Sequence, residues 1–250
     1  MKKLSIIFTL TAFFTVLGAA FAAELPYTKN LIFEMTPAGF SEKGWLSTDG
    51  KYIAEKNTEA EAVLNNIAIN NRPGVVFSGQ NLKMTLDEDV FQRQEGTLIY
   101  IFNWSNVENC SIIEPPGSSW THYGGQMYPS FFAPGRFANG NLAGSVNCSG
   151  DGGISGLGIA VPGTHMVTLR ASKVTGIYNI FIDGVKKWDD YICYFSSTWL
   201  APTTIFFGGS NGDGAFFNGA IGDVLFYNEA VPDADLRRIH TYLINKYEIK

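Results

Sequence analysis

The chain has 250 residues, 46% of them apolar and 16% charged, with a formal net charge of −5. That apolar content excludes a disordered chain, and the acidic balance disfavours nucleic acid as a partner. The 27 glycines and 19 phenylalanines suit many turns between aromatic-rich strands, in one large β-domain or two small ones.

Lys2 and Lys3 precede an apolar run from Leu4 to Leu17, and Ala20-Phe21-Ala22 offers small residues for cleavage. Residues 1–22 therefore read as a bacterial secretory signal peptide. The rival reading is a membrane anchor, but the run is short for a span and small residues follow it. No Cys stands near the cleavage site, so a lipoprotein is not indicated. Cleavage after Ala22 would release 23–250 to the periplasm or the exterior, with no membrane span. It would also remove Lys2 and Lys3 and take the net charge to −7. Cys110, Cys148 and Cys193 would then meet an oxidising compartment. Three pairings are open; the shared Asn-Cys-Ser context favours a Cys110–Cys148 disulfide. Their spacing is not that of a metal site.

Asn30–Met35 reads as a strand, and Pro37-Ala38-Gly39 and Asp49-Gly50 as turns. Glu59, Ala60, Ala62, Val63 and Leu64 are compatible with a helical turn. Val75, Phe77, Leu82 and Met84 predict two short strands around Ser78-Gly79, and Leu86–Phe91 an acidic connection. Gly96–Trp104 has few polar interruptions, which predicts a central strand covered on both faces. Ser105–Gly125 is irregular. A loop of that length is functional or disordered, and its aromatic residues argue against disorder.

Met127–Phe132 and Arg136–Val146 read as strands about a turn at Pro134-Gly135, and Gly150–Gly158 as a Gly-rich connection. Thr164–Arg170 alternates strictly. Ile177–Asp183 follows, and Asp183-Gly184 turns tightly into Val185–Trp188. Thr203–Gly208 is the next strand, ended by the turn Ser210–Gly214. In the last strand Ile221, Val224 and Phe226 are apolar, while Gly219 and Gly222 leave room for close approach or a bend. Pro232, Asp233 and Asp235 mark a helix start, and Leu236, Ile239, Leu243 and Tyr247 recur at helical spacing. The chain should therefore end in an amphipathic helix laid on a sheet.

Three segments carry a resemblance. Phe217-x-Gly219-x-Ile221-Gly222-Asp223-Val224, continuing through Tyr227-Asn228 to the Pro232–Asp235 helix start and Leu243–Tyr247, resembles the C-terminal signature of laminin-G-like domains. Those domains belong to the concanavalin A-like superfamily. Arg72-Pro73-x-Val75-x-Phe77-x-Gly79-x-x-Leu82 resembles a second segment of that family. The hairpin from His165 to Val185 resembles its most typical one, because alternation and turn match together. The matches cover Asn30 to Ile249 in the family's order. They imply an all-β fold, a two-sheet antiparallel jelly-roll sandwich with a short C-terminal helix, as one domain over 23–250.

This fold also hosts glycoside hydrolases and polysaccharide lyases. A retaining hydrolase needs two carboxyl groups about 5 Å apart, which on a strand means i and i+2 or i+4 on one face. Glu59 and Glu61 have the spacing but lie outside a convincing strand, Asp87, Glu88 and Asp89 lie in a connection, and Asp189 and Asp190 would face opposite sides. No lyase signature and no nucleophile motif is present, so no catalytic residue is assigned. His165 reads as a structural residue of the hairpin, His240 as a surface residue on the helix flank, and His122 as the one histidine in the aromatic loop.

The resemblance also implies calcium at the rim of the sandwich. Asp151 and Asp213, in Gly-rich turns, are the candidate ligands, and both also suit ordinary turns. Sugars present apolar ring faces and many hydroxyls. Trp120, His122, Tyr123 and Gln126 from the long loop, with Asn211 and Asp213, make a candidate carbohydrate site. The rival reading has Trp120 and Tyr123 plugging the sandwich edge. The leading expectation is a secreted, non-catalytic module that binds carbohydrate on a cell surface or matrix. A structural or adhesive protein with protein partners is the alternative, and a hydrolase or lyase the third.

Overall fold

The structure is a computed structural model. It describes residues 24–57, 62–86, 95–104, 110–114, 134–138, 141–144, 162–172, 174–175, 177–191, 203–209 and 217–250. In chain order the strands are β1 (Leu31–Ser41), β2 (Gly44–Ser47), β3 (Ile53–Lys56), β4 (Val63–Ile69), β5 (Arg72–Ser78) and β6 (Leu82–Leu86). Then come β7 (Gly96–Trp104), β8 (Cys110–Ser111), β9 (Ile113–Glu114), β10 (Pro134–Ala138), β11 (Asn141–Gly144) and β12 (Gly163–Ser172). The last are β13 (Ile177–Ile182), β14 (Val185–Tyr191), β15 (Thr203–Phe207), β16 (Asn218–Tyr227) and the helix α1 (Asp233–Tyr247).

β7 shows how the layers are built. It lies between β12 and β16, antiparallel to both. Alternation sends Leu98, Tyr100, Phe102 and Trp104 into the main core, while Ile99 and Ile101 join a second core that includes Leu236, Ile239 and Leu243 of α1. Both faces are thus covered, as the near-continuous apolar sequence predicts. Each fully buried Ile or Leu contributes about 1.5–3 kcal/mol relative to exposure.

The first layer runs β14-β13-β12-β7-β16, with β5 and then β4 continuing from the N-terminal half of β16 and β1 from its C-terminal half. β1 belongs to both layers. Leu31–Met35 pairs with β16, Met35–Ser41 pairs with β2, and a register shift lies between Met35 and Phe40. From there β2-β3-β6-β15-β9 forms the opposing layer. The main core between them includes Phe33, Trp45, Phe77, Phe102 and Phe207. All described pairings are antiparallel, so the two-sheet sandwich with a C-terminal helix is as expected. A further three-stranded sheet runs β11-β10-β8.

Several local expectations need correction. Pro37-Ala38-Gly39 is not a turn but the irregular stretch of β1, where proline has no N–H to give to a ladder. Val63 and Leu64 belong to β4 rather than to a helical turn, because β5 supplies a pairing partner. Pro134-Gly135 opens β10 instead of forming a turn, and the strand expected over 136–146 is two strands, β10 and β11. The irregular stretch 105–125 contains β8 and β9; buried Ile112 and Ile113 dock it on β15. The predicted leader, the pairs Glu59/Glu61 and Asp87/Asp89, and Met127–Phe132 lie outside the described residues.

The closing elements match the expectation. A Cβ on Gly222 would meet the Tyr247 ring at 2.9 Å, and one on Gly219 would meet the Asn103 carbonyl oxygen at 2.3 Å. The glycines are therefore where neighbours pack closest. Asp183 and Gly184 both have positive φ, 51° and 77°, which is the two-residue hairpin turn their sequence favours. Leu236, Ile239, Leu243 and Tyr247 are buried.

Candidate functional site at one rim of the sandwich

The ends of several strands meet at one rim. Trp104 ends β7 opposite Gly163 of β12 on one side and Gly219 of β16 on the other. Asn218 faces Ser78, the end of β5. In the opposing layer Phe207 faces Leu82 at the start of β6 and Ile113 of β9. Gly208 N–H donates to the Ile112 carbonyl (2.7 Å), and Phe217 N–H donates to the Gly208 carbonyl (3.0 Å). The segment Ser78–Leu82 crosses between the layers here.

The polar groups of this rim are mainly uncharged. Gln80 and Asn81 are buried. Gln80 Oε1 accepts from Ser78 N–H at 2.7 Å and so fixes the crossing turn. Asn57 Nδ2 donates to Asn81 Oδ1 at 3.0 Å, and Asn57 N–H donates to the Asn81 carbonyl at 3.2 Å. Asn103 Nδ2 donates to Thr164 Oγ1 at 3.0 Å. His165 Nδ1 donates to Asp183 Oδ2 at 2.9 Å, while Asp183 Oδ1 accepts from Met166 N–H at 2.8 Å. The Asp183 carboxylate thus joins its turn to β12. Amides offer donor and acceptor on one planar group, which suits them to hydroxyl-rich ligands.

The charged groups gather elsewhere, under α1. Asp223 is fully buried. Its Oδ2 accepts from Lys246 Nζ at 2.5 Å and its Oδ1 from the Tyr247 hydroxyl at 2.8 Å; its own N–H donates to that hydroxyl at 3.0 Å. Burial and the Asp223 charge raise the Glu34 carboxyl above its usual range. Burial, with the Asp223 charge and hydrogen bond, also holds the Tyr247 phenol far above its usual range. Further along the helix, His240 Nε2 shares a 2.9 Å hydrogen bond with the Thr168 hydroxyl. Burial and then the Arg170 charge push the imidazole down to about 4. Arg170 donates to Asn179 Oδ1 (2.7 Å), to the Val231 carbonyl (3.0 Å) and to Asp233.

His240 is therefore not a surface residue. The helix lies flat on a broad strand face, so its buried stripe widens to include position 240. His165 has the structural hydrogen bond expected of it. Sequence reasoning also missed the Asp223–Lys246–Tyr247 group. A carboxylate flanked by Gly222 and Val224 in an apolar strand was the available signal, since such a group needs a fixed partner.

Trp120, His122, Tyr123, Gln126, Asp151, Asn211 and Asp213 lie outside the described residues. So does Cys148, and with it the expected disulfide to Cys110, which itself lies in β8. Among the described residues no three His, Cys, Asp or Glu side chains are grouped to hold a metal, and no helix is long and apolar enough to cross a membrane. Glu34 feels the Asp223 charge, but both carboxylates sit beneath α1 rather than at the rim.

No family model matches the chain, and no curated protein is similar to it in sequence. Its likeness is to solved structures. The botulinum neurotoxin serotype D binding domain superposes with a TM-score of 0.58 at 15% identity, covering 86% of this chain and 52% of that one. The binding domain of Paraclostridial Mosquitocidal Protein 1 gives 0.61 at 10% identity, covering 89% and 54%. A Trypanosoma rangeli sialidase, solved in complex with a difluoro-nononic acid, gives 0.62 at 12% identity, covering 88% and 33%. This chain thus spans about half the length of the toxin binding domains. At these identities the likeness shows the fold, a β-sandwich shared by binding domains and by an enzyme.

Proposed function

We propose that the protein is a secreted, non-catalytic binding module that recognises carbohydrate through the rim described above. The observation that carries this reading is the convergence of strand ends. The stretch holding Trp120, His122, Tyr123 and Gln126 leaves from β9, and the stretch holding Asn211 and Asp213 runs from β15 to β16. Gly208, Ile112 and Phe217 are hydrogen-bonded neighbours there. The second stretch therefore joins strand ends of this rim, beside the amides of Asn57, Gln80, Asn81 and Asn103, while the first follows β9, which meets the rim at Ile113 and runs inward along β15 to Glu114. Aromatic rings for sugar faces and amides for hydroxyls are the two things such a site needs. The binding-domain neighbours support a binding role. Calcium held by Asp151 and Asp213 would brace the same rim.

A screen of the purified protein against a glycan array, with and without calcium, tests this. A defined glycan hit is expected, lost on Trp120→Ala/Tyr123→Ala at an unchanged melting temperature. A blank array from folded protein overturns the carbohydrate reading, and a lowered melting temperature in the double variant marks the two rings as a plug. Turnover of a polysaccharide would overturn the non-catalytic part; the sialidase neighbour makes that assay worth running. The second reading is protein contact. It is favoured by another neighbour, a botulinum neurotoxin binding domain solved in complex with rat synaptotagmin II.

A further inference from the structure

The closing helix meets the sheet at a pair of side chains that can react with each other. Asp223 lies on β16 and Lys246 in the last turn of α1. Lys246 Nζ stands 2.5 Å from Asp223 Oδ2. The Asp223 side chain is wholly buried, and that of Lys246 is 34% accessible. A lysine nitrogen held against a buried carboxyl group is a nucleophile kept beside an electrophile, which removes the entropic cost of bringing the two together.

The neighbours favour such a reaction. The Tyr247 hydroxyl donates to Asp223 Oδ1 at 2.8 Å and accepts from the Asp223 N–H at 3.0 Å, so its proton is directed at the carboxyl. Gly222 admits it, since a Cβ there would meet the Tyr247 hydroxyl oxygen at 2.9 Å. The rings of Tyr242 and Tyr247 flank Lys246 Nζ, with centroids 5.8 and 5.6 Å away. On β1, Glu34 is paired with Leu225, a diagonal neighbour of Asp223. Burial and then the Asp223 charge raise the Glu34 carboxyl, so this face disfavours negative charge. Burial also works against the Lys246 ammonium, although the Asp223 charge and hydrogen bond outweigh it and hold the group above its usual range. The pair is thus charged in a place where a neutral product avoids the desolvation of two ions.

We propose that Lys246 and Asp223 condense into an intramolecular amide that ties the last turn of α1 to β16. The bond formed is Nζ–Cγ and the bond broken is Cγ–Oδ2. The ammonium first gives one proton to Oδ2, which leaves an amine and a carboxylic acid. The amine attacks Cγ, and the charge that develops on Oδ1 is met by the Tyr247 hydroxyl. A second proton passes from the nitrogen to Oδ2, which departs as water. One proton stays on the amide nitrogen, so the step balances without oxidant, reductant or further reactant. The partly exposed Lys246 chain leaves the water a route out. The ion pair described above is the state before condensation. The amide holds the C-terminal helix by a bond that no reductant opens, independently of the cysteines and of the rim.

Intact mass of the purified protein tests this, taken after reduction and compared with the sequence from its observed N-terminus. The wild type should be lighter by one water, about 18 Da. Lys246→Arg keeps a cation opposite Asp223 without the reactive amine, so it should fold and show the full mass. Trypsin acting on the denatured wild type should leave the chain uncut after Lys246 and release residues 239–250 joined to the peptide that carries Asp223. A wild type of full mass overturns the proposal. So does a dehydrated chain that trypsin still cuts after Lys246, because the water was then lost elsewhere, as in a cyclic imide at Asp223. The same mass loss in Lys246→Arg overturns it as well.

Discussion

The face under α1 and the rim handle buried polarity in opposite ways. Beneath the helix the chain buries ionisable groups: Asp223 with Lys246 and Tyr247, and a neutral His240 beside the Arg170 charge. Each of these groups has a strand partner on one side and a helix partner on the other. At the rim the buried polar groups are amides, and the hydrogen bonds are short-range ties within and between strand ends. A desolvated charge tolerates one arrangement, because losing its partner is costly. An amide loses less and can exchange partners. The difference separates a part of the molecule that fixes the fold from a part that can serve a ligand.

The strongest challenge to this contrast is Asp223→Ala. It leaves the Lys246 ammonium half-buried and the Tyr247 hydroxyl without its acceptor. A loss of about 3–5 kcal/mol is expected, the range for breaking one side of a buried pair. Denaturant unfolding measures it, and a loss below that of an ordinary surface change would remove the charged lock. Leu243→Ala comes next. Leu243 is fully buried between α1 and the strands, so about 2–5 kcal/mol should go, including the cavity left behind. Helix content by circular dichroism should stay near wild type below the transition, since the helix is held by packing over its whole length.

On the helix-covered face the strands and the helix are legible in the sequence but the buried polar groups between them are not, and at the rim little is legible at all. The β12–β13 hairpin and α1 each have a period that only one secondary structure fits, and their turn residues agree with it, while β7 is marked by a short, near-continuous apolar run. β4 escaped because its residues are exposed on both faces, which removes the alternation that marks a strand. β8 and β9 escaped because two-residue strands carry no period at all. The surface reading of His240 fails because the buried stripe of the helix is wider than the spacing of Leu236, Ile239, Leu243 and Tyr247 marks. The rim amides had no signal: an Asn or Gln in a turn looks alike whether it ties two layers together or faces solvent. The candidate ligand residues came from composition and loop length, which point to a region but not to an arrangement.

A pH series sharpens the helix side of the comparison. His240 titrates near 6.5 when unfolded and at about 4 when folded, because burial and the Arg170 charge disfavour its protonated form. Between those values the unfolded chain binds a proton that the folded one does not. The stabilisation is therefore complete above pH 6.5 and declines as pH falls through the window towards 4. Its full extent is about 3 kcal/mol. His240→Leu should flatten the stability curve in that window. Asp233, held below the usual carboxylate range by Arg170, adds its own loss at still lower pH, as does Asp49 through Ser47. Parallel curves for wild type and variant would show that the imidazole is not the titrating group.

The smallest effect is expected at the rim. Asn103→Ala removes the hydrogen bond to Thr164 from a half-buried position, worth about 0.5–1.5 kcal/mol. Nothing charged is orphaned, because the Thr164 hydroxyl oxygen can accept from water instead. The global melting temperature should move little. Asn103 and Thr164 stand next to the ends of β7 and β12, from which the loops of the rim depart. Hydrogen exchange should therefore rise at Asn103, Trp104, Gly163 and Thr164 while the amides of Leu98–Tyr100 stay protected. If instead Asn103→Ala destabilised the whole protein as much as Asp223→Ala, the rim would be part of the same lock as the helix, and its suitability as an adaptable binding edge would be lost.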